Sequence, residues 1–81
     1  MNVLLIGTGT VGEAVAHLLK GRPWLRKLTL ADYSLRRAQG VAAATGADYA
    51  VAQVDAGNSA QLQELIAASR ADLVLNAVDP R

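Results

Sequence analysis

A glycine-rich segment directly behind a short apolar run limits what this chain can fold into more than any other feature. Gly7, Gly9 and Gly12 have the spacing G-x-G-x-x-G. Residues 2–6 before them form an apolar run of strand length, and residues 11–20 after them repeat apolar side chains at helical spacing. A strand, a glycine turn and a helix in this order predict the start of a βαβ unit.

The rest of the chain continues this alternation of strands and helices. Apolar runs predict strands at 2–6, 27–31, 49–54 and 73–78, and helical spacing and capping residues predict helices at 11–20, 35–45 and 58–69. Alternating elements indicate a parallel sheet with right-handed crossovers. The predicted fold is therefore α/β: half of a doubly wound Rossmann fold, βαβαβαβ, with strand order 3-2-1-4 and the third helix alone on one face.

The length of the chain and its fourth strand bear on domain organisation. The 81 residues suffice for one small domain. The fourth strand is apolar at nearly every position, which suits a strand with neighbours on both sides, but the sequence supplies only one neighbour. We therefore expect 1–81 to be a partial dinucleotide-binding domain from a longer chain. An open apolar edge also predicts self-association, for example as a dimer.

Each glycine of the motif has a distinct expected role in holding a dinucleotide. Gly7 permits the tight turn, Gly9 lets the backbone approach a pyrophosphate, and Gly12 lets the helix pack against the strand. The backbone amides of Thr8 to Val11 lie at the predicted helix N-terminus, where they attract phosphate. The hydroxyl of Thr10 is a further candidate donor to that phosphate.

An acidic residue at the end of the second strand indicates which dinucleotide is bound. Asp32 follows Gly12 by twenty positions. Its carboxylate is placed to accept hydrogen bonds from the adenosine ribose and to repel a 2′-phosphate, so NAD is the expected cofactor. Arg36 and Arg37 at the start of the second helix keep NADP open, because either could reach a 2′-phosphate. A solvated aspartate that begins a turn is the alternative interpretation of Asp32.

The ends of the other strands supply the remaining candidates for cofactor binding. Tyr33 and the pair Asp55 and Ala56 are expected beside the adenine. Asn76, Ala77 and Val78 end the fourth strand, at the crevice where the strand order reverses and where ligands of open α/β sheets bind. Ordinary turn roles are the alternative for these residues.

Composition excludes several other classes of function. The net charge of +1, without a basic run, argues against nucleic acid and anionic membranes as partners. No apolar stretch approaches the roughly 20 residues that span a bilayer. The absence of cysteine fits the cytoplasm. With His17 as the single histidine, we expect no catalytic residue set and no metal site in this chain.

Four stretches of the sequence together resemble a known family. They are VLLIGTGTVGEAVAHLL (3–19), LTLADYSLRRA (28–38), VDAGNSAQL (54–62) and ADLVLNAVDP (71–80). The chain resembles the N-terminal cofactor domain of the saccharopine dehydrogenase-like family, which includes lysine dehydrogenases. The Val-Asp-Ala step and the Leu-Asn-Ala-x-x-Pro ending discriminate this family better than the glycines do.

The resemblance implies an oxidoreductase that uses NAD or NADP on an amino-acid-derived C–N bond. Its cofactor-side positions would be Gly7, Gly9, Gly12, Asp32, Asp55 and Asn76. Members of the family are several times longer, so the isolated chain is not expected to catalyse. Two alternatives are a ligand-sensing nucleotide-binding module of the kind that gates potassium channels and transporters, and a stand-alone half-Rossmann folding unit.

Overall fold

The computed structural model describes residues 1–78, which form a single α/β sheet structure with alternating elements. The strands are β1 (Asn2–Ile6), β2 (Lys27–Asp32), β3 (Ala50–Gln53) and β4 (Leu73–Asn76), and the helices are α1 (Thr10–Leu19), α2 (Leu35–Thr45) and α3 (Ser59–Ser69). The strands are parallel in the order β3-β2-β1-β4, which confirms the predicted half-Rossmann topology. None of the helices within residues 1–78 combines the length and the apolar character that crossing a membrane requires.

Strand β1 contributes to the core on both faces of the sheet, because alternate residues of a strand point to opposite faces. Val3 and Leu5 pack with residues of α1 and α2, whereas Leu4 and Ile6 pack with apolar residues of α3. All four side chains are at most 2% exposed. The carboxyl end of β1, where the glycine motif begins, therefore lies in the middle of the sheet edge.

Local capping signals fix the ends of α2 and α3. The Oγ atom of Ser34 accepts a hydrogen bond from the N–H of Arg37, and the Oδ1 atom of Asn58 accepts one from the N–H of Gln61. At its other end α2 terminates at Gly46, which has the left-handed φ of 69°. Serine and asparagine at the N-cap and glycine past the C-terminus are the residues that these positions favour.

Strand β4 lies at an edge of the sheet and ends earlier than the sequence pattern predicts. Within residues 1–78 it pairs only with β1, and its Leu73 and Val74 are 40% and 38% exposed. The strand stops at Asn76, whose Oδ1 accepts a hydrogen bond from the N–H of Val78 and so closes a local turn. The predicted open apolar edge is therefore present among the described residues, while self-association stays a prediction.

Candidate functional site

A cavity of about 550 Å³ opens at the carboxyl ends of the four strands. Its volume lies in the range of roughly 300–1,000 Å³ that small-molecule sites occupy. The segment following each strand contributes to it, so the whole upper edge of the sheet forms one concave surface. The lining residues are Ile6, Gly7, Gly9, Asp32, Tyr33, Arg37, Val54, Asp55, Ala56, Gly57, Ala77 and Val78.

The glycine loop is pressed between the ends of β2 and β4. The N–H of Gly7 donates to the carbonyl of Ala31 at 2.8 Å. Gly7 has a φ of +95°, and a Cβ on it would lie 2.8 Å from backbone atoms of Ala77 and Val78. Only glycine fits this conformation and this space. The loop can therefore lie close to the backbone after β4, which leaves the cavity open above the loop.

The N-terminus of α1 borders the cavity at Gly9, its N-cap residue. The N–H of Glu13 closes the first helical hydrogen bond, to the carbonyl of Gly9 at 2.8 Å. The N–H groups of residues 10–12 therefore have no acceptor within the helix, and the N-cap has no side chain to provide one. Together with the positive end of the helix dipole, these amides form a site that favours an anion.

Asp32 ties the end of β2 to the glycine loop. Its Oδ2 atom accepts hydrogen bonds from the backbone N–H of Thr8 at 2.7 Å and from the Thr8 hydroxyl at 2.8 Å. Its Oδ1 atom accepts one from the N–H of Ser34 at 2.9 Å. Asp32 is 8% exposed and Thr8 is 2% exposed, so these bonds form beneath the cavity surface.

These contacts keep the Asp32 carboxylate charged. Burial alone would raise its pKa, but the hydrogen bonds from Ser34 and Thr8, together with the nearby positive charge of Arg37, outweigh burial and lower the pKa below its ordinary value of 3.8. The negatively charged Asp32 and the positively charged Arg37 thus border the same cavity.

The opposite wall of the cavity is the turn after β3. Asp55 folds back on this turn, with its Oδ1 accepting from the N–H of Gly57 at 2.9 Å and its own N–H donating to Oε1 of Gln61 at 3.1 Å. The N–H of Val54 donates to the carbonyl of Asp32 at 2.9 Å, which joins this turn to the end of β2. The wall is therefore a formed turn with one exposed carboxylate.

The structure brings most of the sequence-predicted residues into the cavity lining. Those that line it are Gly7, Gly9, Asp32, Tyr33, Arg37, Asp55, Ala56, Ala77 and Val78. Sequence reasoning missed Ile6, Val54 and Gly57. The signal that could have found Ile6 and Val54 is their position at the carboxyl ends of strands, the edge of an open α/β sheet where ligands bind.

Five predicted residues lie outside the lining, for different physical reasons. Thr8 is buried beneath the loop, and its N–H points to Asp32 instead of to the cavity. Gly12 is buried, with α1 packed against the backbone of Gly7. Thr10 and Val11 are exposed on the first turn of α1, and the side chain of Asn76 is engaged in its own turn.

Comparison with known proteins identifies relatives of this chain. The family model described as the saccharopine dehydrogenase NADP binding domain matches residues 3–81. The solved structure of quinate dehydrogenase from Corynebacterium glutamicum in complex with NAD is similar, with a TM-score of 0.67 and 38% sequence identity. That match covers 94% of this chain and 26% of the dehydrogenase chain. No curated protein sequence shows significant similarity to the chain.

Proposed function

The chain belongs to the saccharopine dehydrogenase NADP-binding domain family, and from this premise we propose that it binds NAD(P) at the carboxyl ends of its strands. The observation that carries the proposal is the cavity bordered by both the N-terminus of α1 at Gly9 and the carboxylate of Asp32. When bound, the dinucleotide supplies hydride transfer, and the residues of this chain hold and orient it.

The residues present fit a dinucleotide. The pyrophosphate would lie against the N-terminal amides of α1, where Gly9 offers no side chain to obstruct it. The adenosine ribose would lie near Asp32, and the adenine would lie between Tyr33 and the turn at Asp55. The loop supports this arrangement because Gly7 lets it pass close to the backbone after β4, where any side chain would collide. The space above the loop is thereby left for the ligand.

Calorimetry with NAD, NADH and NADP tests this proposal. A Gly9→Leu variant places a side chain at the cavity without a φ conflict, since Gly9 has a φ of −74°. We expect it to weaken binding by roughly tenfold or more. The matched control is Gly40→Leu, because Gly40 lies on α2 with no atom within 4 Å of an added Cβ. Absence of binding to the unmodified protein by all three dinucleotides would contradict the proposal.

We further propose that the domain serves an oxidoreductase acting on an amino-acid-derived C–N bond. Its support is the family to which the chain belongs. The chain spans about a quarter of the length of the quinate dehydrogenase that it matches. The test is NAD(P)-dependent oxidation by a protein that contains this domain, with saccharopine and lysine compared against quinate. Turnover of quinate alone would contradict the proposed substrate class.

Self-association through the edge of β4 is a separate proposal, and its support is the exposure of Leu73 and Val74. Sedimentation at increasing concentration tests it, with Val74→Lys as a variant that places a charge on the edge. A monomer at every concentration would contradict it, as would a Val74→Lys variant that associates as strongly as the parent. The cytoplasmic location stays a prediction.

A further inference from the structure

We propose that Asp32 is a positioning residue whose carboxylate holds the glycine loop in the shape that receives a pyrophosphate. The inference rests on the proposed function, dinucleotide binding at this cavity. It assigns to Asp32 a role that acts through Thr8, in addition to any contact with the ribose. The role is carried by the hydrogen bonds that Asp32 makes beneath the cavity.

The carboxylate of Asp32 has a limited capacity to accept hydrogen bonds. A carboxylate offers about four acceptor positions. Both donors of Thr8 approach Oδ2, and the N–H of Ser34 approaches Oδ1. Most of the capacity of Asp32 is therefore used within the protein, and what remains for a ribose hydroxyl lies on Oδ1.

The glycine loop is bonded to β2 along its path. Two successive N–H groups of the loop are bonded to two successive residues of β2: Gly7 to the carbonyl of Ala31, and Thr8 to the side chain of Asp32. The loop is thus anchored to β2 immediately before it turns into α1. Because the N–H of Thr8 donates to Asp32, the amides that can face an anion are those of the residues after Thr8.

Loss of the contact between Thr8 and the Asp32 carboxylate would leave buried donors without an acceptor. Thr8 is 2% exposed, so its hydroxyl and N–H have little access to water if the carboxylate is removed. Buried donors without an acceptor are unfavourable, and hydrogen bonds to a charged acceptor are stronger than neutral ones. Without the carboxylate we expect the loop to rearrange until both donors are satisfied, which displaces the N-terminus of α1.

A positioning role and a direct ribose contact predict different results with a modified ligand. Asp32→Asn preserves the size of the side chain but turns one acceptor into a donor, which faces either Thr8 or Ser34. If Asp32 acts through the loop, the variant weakens binding even of NAD that lacks both adenosine ribose hydroxyls, roughly tenfold. If Asp32 acts only through the ribose, this ligand binds the variant and the parent protein equally well, which would overturn the inference.

The partner residue supplies the second arm of the experiment. Thr8→Val removes the hydroxyl donor while keeping the shape of a residue buried away from any ligand. We expect it to weaken dinucleotide binding, and we expect the double variant to lose less than the product of the two single losses. Losses that multiply independently would show that the two residues do not act together.

Amide hydrogen exchange without ligand keeps this inference separate from the proposed function. We expect exchange of the Thr8 N–H to accelerate in Asp32→Asn and that of Leu30, in the buried interior of β2, to remain slow. Unchanged exchange at Thr8 would overturn the inference even if dinucleotides bind. Failure of the parent protein to bind dinucleotide would instead contradict the proposed function, while the exchange result still decides whether Asp32 holds the loop.

Discussion

Gly12 lies directly against the carbonyl oxygen of Gly7, and a Cβ on Gly12 would overlap that oxygen. Helix α1 and the loop that precedes it are therefore packed backbone to backbone. The carbonyl of Gly7 has little room to withdraw, because Gly7 is itself fixed against Ala31 by a hydrogen bond and against the backbone of Ala77. Substitutions at Gly12 consequently test whether the loop and the helix form one rigid unit.

We expect Gly12→Ala to reduce the free energy of unfolding by about 1–3 kcal/mol, the usual cost of forcing extra volume into a packed site. The variant should also weaken dinucleotide binding, because relief of the overlap moves α1 away from the loop. Urea unfolding of the variant and the parent measures the first effect and calorimetry the second. A stability within about 0.5 kcal/mol of the parent would contradict this packing.

Gly40→Ala is expected to have the opposite effect on stability. Gly40 lies within α2, is exposed, and has no atom within 4 Å of an added Cβ. Alanine there restricts the unfolded chain and favours the helix, which should raise the free energy of unfolding by about 0.5–1 kcal/mol. The same urea titration measures it, and a destabilised variant would show that α2 is packed differently.

The hydrogen bonds of Asp32 predict how stability depends on pH. The pKa of Asp32 is lowered in the folded protein, so the folded state binds its proton more weakly than the unfolded state does. The stabilisation from this residue is therefore complete well above the ordinary pKa of 3.8 and is lost as the pH falls below it toward the folded value.

Urea unfolding from pH 7 down to pH 3 measures this dependence, with Asp32→Asn as the comparison because it cannot titrate. The difference in stability between the parent and the variant should shrink as the pH falls. The other carboxylates are common to both proteins, so their contributions cancel in this difference. A difference that stays constant to pH 3 would contradict the lowered pKa of Asp32.

Much of this fold could be predicted because its signals are local. The bounds of β1 and α2 coincide with the sequence prediction, and Ser34 and Gly46 show why. A serine hydroxyl that caps a helix and a glycine in the left-handed region act within a few residues of their own position. Alternation of elements then indicates a parallel sheet, and the glycine motif behind β1 favours the strand order 3-2-1-4 of dinucleotide-binding folds.

The contacts beneath the site could not be predicted in this way. Thr8 and Asp32 lie 24 positions apart, and their types do not reveal that the hydroxyl and N–H of one meet the carboxylate of the other. The sequence pattern assigned the amide of Thr8 to a phosphate, but the folded loop turns it toward β2. Asn76 likewise satisfies its own turn through Val78, which depends on where β4 ends.

Arg37 and Arg36 are adjacent in sequence but differently placed, so they form a matched pair for testing cofactor preference. Both side chains are exposed, but Arg37 lines the cavity that Asp32 borders and Arg36 does not. Among residues 1–78, no carboxylate forms an ion pair with Arg37. A 2′-phosphate beside the Asp32 carboxylate would be repelled, and the guanidinium of Arg37 is the positive charge in the lining that would offset this repulsion.

We therefore expect Arg37→Gln to raise the Kd for NADP by roughly tenfold, and to change the Kd for NAD by about twofold or less. Arg36→Gln should leave both affinities unchanged. Calorimetric titration of each variant with both dinucleotides at fixed ionic strength measures the difference, because an effect of charge is screened by salt. Equal losses for NAD and NADP in Arg37→Gln would show that Arg37 acts on a part common to both ligands. Equal effects from Arg37→Gln and Arg36→Gln would show that Arg37 acts only through the general positive charge of α2.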